Sequence, residues 1–304
     1  MKFLLVYLSI ALLLSAKSIR VIPDSVKVDS QKVKLGHRLF FDPVLSRDNT
    51  ISCSSCHDLN SGGDDGLQYS YGVGGRVGNI NSPTVYNAVF NFRQFWDGRA
   101  KDLEEQALGP IQNPVEMDMD FETLIKRLQN IKWYRDMFHK VYTDGITKKN
   151  IVNAIAEYEK TLITPNSPFD KYLKGDKNAI SKEAKRGYEL FKYKGCIICH
   201  NGVNIGGNLY NKFGIYQDSH SKQLGRYNVT HKEDDKYVFK VPSLRNISKT
   251  APYMHDGRFA TLKEAVVFMS QAQLGRDISD RDIEDIVAFL KTLDGDTLEE
   301  KSQK

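Results

Sequence analysis

The chain has only four cysteines in 304 residues, and all four fall in two copies of one pentapeptide. None is left over for the disulfide framework that exported chains commonly build. Histidine is also scarce, at seven. Strand signals are few and short, which argues against a sheet-based fold. The one long apolar run, Phe3–Leu14, is 12 residues, too short to span a bilayer comfortably. The formal charge of +5 makes the protein only mildly basic, and no nucleic-acid signature accompanies it. A mildly basic surface would favour an acidic partner.

What is present is chemically specific. Cys53-Ser-Ser-Cys56-His57 and Cys196-Ile-Ile-Cys199-His200 both read Cys-x-x-Cys-His, the attachment pattern of haem c. The two thiols form thioethers to the porphyrin, and the next residue offers an imidazole to the iron. Two copies predict two covalent haem c groups and redox chemistry. The rival is zinc, which also uses paired Cys-x-x-Cys. Zinc knuckles separate their halves by about 15–20 residues, whereas 139 residues separate Cys56 from Cys196.

The N-terminus reads as a secretory signal over residues 1–18. Lys2 supplies the positive region, Phe3–Leu14 the apolar region, and Ser15, Ala16 and Ser18 the small residues near a cleavage point. Haem c is attached outside the cytoplasmic membrane in bacteria, so the expected compartment is the periplasm, with no membrane span once the signal is removed. About 286 residues remain, enough for one large domain or two ordinary ones.

The fold class expected is mostly α, with two cytochrome c-like helical domains and one haem in each. Leu35-Gly-His-Arg-Leu39-Phe40 precedes the first motif and Arg186-Gly-Tyr-Glu-Leu190-Phe191 the second. This is an internal repeat of a helix leading into an attachment site. Asp120, Thr147, Ser181 and Ser279 are candidate N-caps, Thr261-Leu-Lys-Glu264 is a capping box, and the helix opened by Thr147 should run to about Leu162. Thr164-Pro-Asn-Ser-Pro168 reads as the linker, giving domains at 19–164 and 165–304. Asn60–Asn81 and Gly202–Phe239 lack a helical period and are candidate functional loops.

Between and after the motifs lie longer blocks. They are Asn81-Ser-Pro-Thr-Val-Tyr-Asn-Ala-Val-Phe-Asn91, the run from Phe95-Trp-Asp-Gly-Arg to Pro-Val-Glu-Met117, Val241-Pro-Ser-Leu-Arg-Asn246 and Thr250-Ala-Pro-Tyr-Met-His-Asp-Gly257. With these in view, the chain resembles the bacterial di-haem cytochrome c peroxidases over about Lys34 to Leu293. The resemblance implies an enzyme that reduces hydrogen peroxide to water by two electrons. It makes His57 the ligand of the peroxide-reacting haem. It makes His200 the ligand of an electron-transfer haem, fed by a small mono-haem cytochrome c or a copper protein. Members are often homodimers.

The same resemblance assigns further residues. Met269 matches the sulfur ligand of the second haem, with Met254 as rival; sulfur ligation raises a haem potential. Trp96 matches the aromatic between the haems, while Trp133 reads as core. Glu116 and Gln106 match residues on the peroxide side of the first haem, where a carboxyl group can move a proton between the peroxide oxygens. Asn81, with the carbonyls of Thr250 and Pro252, matches a calcium site between the domains, an all-oxygen set suited to that cation. His255 should sit near a haem edge. His37, His139, His220 and His231 carry no assigned chemistry.

One departure stands out. Many members carry a removable histidine eight residues before the calcium-site asparagine, and here that position is Val73. Valine cannot ligate iron, so the first haem should be open at rest. Tyr69 and Tyr71 are nearby candidates for an inhibitory ligand. Two other functions compete with the peroxidase. A di-haem electron carrier would need both irons six-coordinate. A related di-haem oxidase of a protein or organic substrate would favour tyrosine over methionine as ligand, for which Tyr253 is a candidate.

Overall fold

The computed structural model describes residues 19–297; the expected signal at 1–18 lies outside them. The architecture is mostly α. Helix α1 (Ser30–Phe41) opens on Asp29, whose side chain accepts from the amides of Gln31 and Lys32. Then come α2 (Leu103–Gln112), α3 (Phe121–Asn130), α4 (Lys132–Val141) and α5 (Lys148–Glu159). The second half holds α6 (Pro168–Leu173), α7 (Lys182–Tyr193), the single turn α8 (Tyr227–Thr230), α9 (Leu262–Ala272) and α10 (Asp280–Lys291). Two three-residue strands, β1 (Tyr210–Lys212) and β2 (Val238–Lys240), pair antiparallel with Asn211 opposite Phe239.

The expected caps all form. Asp120 accepts from Thr123 N, Thr147 from Asn150 N, Ser181 from Ala184 N and Ser279 from Asp282 N. Thr261 and Glu264 close the reciprocal box. Each satisfies an amide that the first helical turn leaves orphaned. Helix α5 stops at Glu159, short of the expected Leu162. Leu162 O is drawn off to accept from Asn87 N at 2.7 Å, and the Thr161 hydroxyl caps Tyr158 O at 2.7 Å.

The internal repeat has a steric meaning. In the first half α1 crosses α5; in the second α7 crosses α10. A Cβ built on Gly36 would lie 1.8 Å from Ala154 O, and one on Gly187 would lie 1.8 Å from Asp285 O. Glycine therefore sits at the same step of both repeats because the helix backbones touch there. Leu35, Leu39 and Phe40 around the first crossing are buried, as is Phe191 beside the second. On an exposed helix Gly→Ala stabilises by about 1 kcal/mol. Here the obstacle is backbone, which cannot swing aside, so overpacking wins. Gly36→Ala and Gly187→Ala should each cost about 1–3 kcal/mol, read as a lowered midpoint in thermal unfolding of the haem-loaded protein. An unchanged midpoint would mean that the helices part freely.

The Thr164–Ser167 segment is buried and bonded to both halves. Thr164 N donates to Asn87 Oδ1 at 2.9 Å, and its hydroxyl accepts from Asn87 at 2.8 Å and from Asn246 at 3.0 Å. Close by, Arg245 pairs with Asp170 at 2.8 Å, both fully buried, and Arg245 also donates to Ser167 Oγ and to the carbonyls of Val203 and Arg20.

Candidate functional site

Between the halves opens an apolar cleft of about 250 Å³. Cys196, Cys199 and His200 line one part of it, at the end of the short loop that follows α7. The face of α9 carrying Leu262, Ala265, Val266, Met269 and Gln273 lines another; that spacing is one stripe of a helix. Met254 also reaches the cleft, but it packs into the C-terminal apolar core, which Met269 does not join. Met269 and His200 line the same cleft.

The two motif histidines share one arrangement. His57 Nδ1 is 3.1 Å from Gly63 O, and His200 Nδ1 is 3.3 Å from Ile205 O. A carbonyl only accepts, so Nδ1 carries the proton and Nε2 keeps its lone pair, the tautomer that ligates a metal. Burial lowers the pKa of both rings, that of His200 to about 4, so both stay neutral. No disulfide joins the four cysteines. Burial raises the thiol pKa of Cys56 and Cys196 to about 11. Among the described residues no three His, Cys, Asp or Glu side chains gather into a metal cluster, so the motifs do not meet in a zinc knuckle. Paired thiols outside any disulfide, a neutral imidazole and an apolar cleft fit a haem.

The first attachment site lies outside this cleft. Glu116 belongs to it: its charge is felt by the thiols of both Cys53 and Cys56. Burial raises the Glu116 pKa above the usual carboxylate range. The Asn113 amide, which donates to its Oε1 at 2.6 Å, and the Arg99 charge pull it back. Gln106 is half-buried on α2, and its side-chain amide makes no hydrogen bond among the described residues. The loop over this site is pinned to Glu116. Val73 N donates to Glu116 O at 2.8 Å, and a Cβ on Gly72 would lie 2.5 Å from that same oxygen. Val73 itself is buried, whereas Tyr71 is 56% exposed.

The junction is built from both halves. Trp96 lines the cleft and donates from Nε1 to Asn81 O at 2.9 Å, while its carbonyl accepts from Lys240 N. His255 is buried, with its ring 6.1 Å from that of Trp96 and stacked at 4.2 Å on Phe239; its Nε2 is 2.7 Å from Ser221 Oγ. Burial lowers its pKa to about 4. Asn81, Thr250 and Pro252 also line the cleft. Trp133 packs in the N-terminal core, as read. Two charged residues here escape sequence reasoning. Lys240 is buried in the cleft wall, and burial lowers its pKa to about 8. Asp64 is buried on the opposite side. Asp64 lies in a loop and Lys240 ends a three-residue strand, too short for a burial pattern to mark it.

Fold and sites together define a two-domain c-type cytochrome with one haem attachment site in each half. A model of the di-haem cytochrome c peroxidase family matches residues 30–178, and one of cytochrome c matches 184–294. Cytochrome c551 peroxidase of Nitrosomonas europaea is 49% identical over 88% of this chain and 81% of its own length. Cytochrome c peroxidase Ccp of Escherichia coli K12 is 48% identical over 91% of this chain, which spans 61% of that longer relative. Among solved structures, a MauG-like protein associated with microbial copper homeostasis aligns with a TM-score of 0.80 at 26% identity, over 91% of this chain and 93% of that one. The chain belongs to the bacterial di-haem cytochrome c peroxidase family.

Proposed function

We propose that the protein reduces hydrogen peroxide to water in the bacterial periplasm, with electrons from a small mono-haem cytochrome or copper protein. One observation carries this reading. At the first site a half-buried carboxyl, Glu116, adjoins a loop whose residue 73 has no side-chain atom able to ligate iron. One peroxide, two protons and two electrons give two waters. A bound haem supplies an iron that binds peroxide and exchanges electrons with it. His57 would ligate the iron of that group through Nε2. Glu116 takes a proton from one peroxide oxygen and returns it to the other, which leaves as water. The free amide of Gln106 orients the substrate, and the loop around Val73 limits water.

His200 and Met269 hold the second haem, where sulfur suits electron entry. Trp96, at the junction, carries electrons from there towards the first site. Asn81 and the carbonyls of Thr250 and Pro252 bind a calcium ion that ties the halves together.

The test is to add peroxide and a reduced cytochrome c to purified, never-reduced protein. Donor oxidation should begin without a lag. Turnover that starts only after pre-reduction would mean that another ligand closes the first site. No turnover with any donor, before or after pre-reduction, would overturn the peroxidase reading.

A further inference from the structure

Asp64 has no role in the mechanism above, yet its setting is unusual. It follows Gly63, whose carbonyl holds His57, and it lines the cleft between the halves. It is 2% exposed, and its Oδ1 makes no hydrogen bond. Among the described residues no cation pairs with it. Burial, with the like charges of Asp65 and Asp58, raises its pKa to about 7. A buried carboxylate is costly unless a positive partner or donors meet it. Among the described residues no cation meets it, and Oδ1 has no donor.

The backbone shows what lies opposite. A Cβ on Gly62 would sit 2.4 Å from Lys249 O and 2.7 Å from Asp64 Oδ1, so these two oxygens flank one methyl-sized gap. A Cβ on Gly66 would sit 3.9 Å from Ala251 O. Residues 62–66 therefore run alongside residues 249–251, with Thr250 between the two contacts. Among the described residues no hydrogen bond is donated to the carbonyl of Thr250 or of Pro252. Asn81 donates its Nδ2 to Leu67 O at 2.9 Å, which leaves its Oδ1 as a free acceptor.

We infer that Asp64 is an anionic ligand of a calcium ion seated between the halves, beside Asn81 Oδ1 and the carbonyls of Thr250 and Pro252. The inference rests on the calcium reading above and adds the charge to it. A set of three neutral oxygens and one carboxylate suits a hard cation that accepts 6–8 oxygens in flexible geometry. Ligand charge is a main determinant of calcium affinity. The ion also explains why an acidic side chain stays folded in an apolar wall: its partner is not part of the chain.

The test uses haem-loaded protein stripped with EGTA and titrated with calcium chloride by calorimetry, with thermal melts in EGTA and in calcium. Wild type should take up calcium. Asp64→Asn, which keeps the shape and loses the charge, should bind at least tenfold more weakly. It should also melt higher than wild type in EGTA, because the unpaired charge is gone, and gain less from calcium. Unchanged affinity in a folded Asp64→Asn would overturn the role of Asp64 and leave the calcium reading intact. A lower melting point in EGTA with an unchanged calcium gain would also overturn it, since Asp64 would then be structural. No calcium uptake by wild type would overturn both. Should Asp64→Asn not fold, Asp64→Ala decides by the same affinity comparison.

Discussion

Glu116→Gln should retain both haems and lose peroxide turnover by about 10²–10⁴-fold, the usual contribution of a positioned general acid or base. The amide keeps the size and the contact with Asn113, so the fold around α2 stays intact. It cannot pick up and release a proton. The pH profile gives a sharper check. Glu116 must be ionised to take the first proton from peroxide, so activity falls as pH drops through its pKa. Burial holds that pKa above the ordinary carboxylate range. The wild-type acid limb of kcat/KM should therefore lie above that range, and the variant should lack it. Equal steady-state turnover in the two proteins would remove Glu116 from the mechanism.

Met269→Ala should lower the potential of the second haem on the order of 10² mV, since axial ligands span about 0.8 V among haem proteins and methionine sits at the high end. Redox titration of the two haems reads this directly. Donor-driven turnover should fall with it, because the electron-entry haem becomes harder to reduce. Met254→Ala is the control. That side chain packs into the apolar core, so its loss should cost stability and leave the potential near wild type. A potential that moves with Met254 and not with Met269 would reverse the assignment.

How much of this was legible beforehand follows from the range of each interaction. The caps at Asp120, Thr147, Ser181, Thr261 and Ser279 depend on residues two or three positions away, and all could be read from the sequence. The haem motifs are likewise local. The end of α5 was missed because Asn87, far along the chain, pulls Leu162 out of the helix. The glycines of the repeat were visible, but not their purpose, which lies in carbonyls of another helix. Asp64 and Lys240 were missed for the same reason. Burial of a charge in a loop or at the end of a three-residue strand is decided by packing from elsewhere in the molecule. Glu116 was reached only through resemblance, and its burial is what gives the role a physical basis.

The anchoring of Thr164 bears on how fast electrons can cross the molecule. Electron tunnelling weakens steeply with each added ångström, so a junction that breathes would scatter the transfer rate. Here the crossover segment is clamped by an asparagine from each half, Asn87 and Asn246. The separation of the two halves at Trp96, on the electron route proposed above, is thereby set near the middle of the chain. The proposed electron route therefore crosses a junction held by hydrogen bonds from both sides.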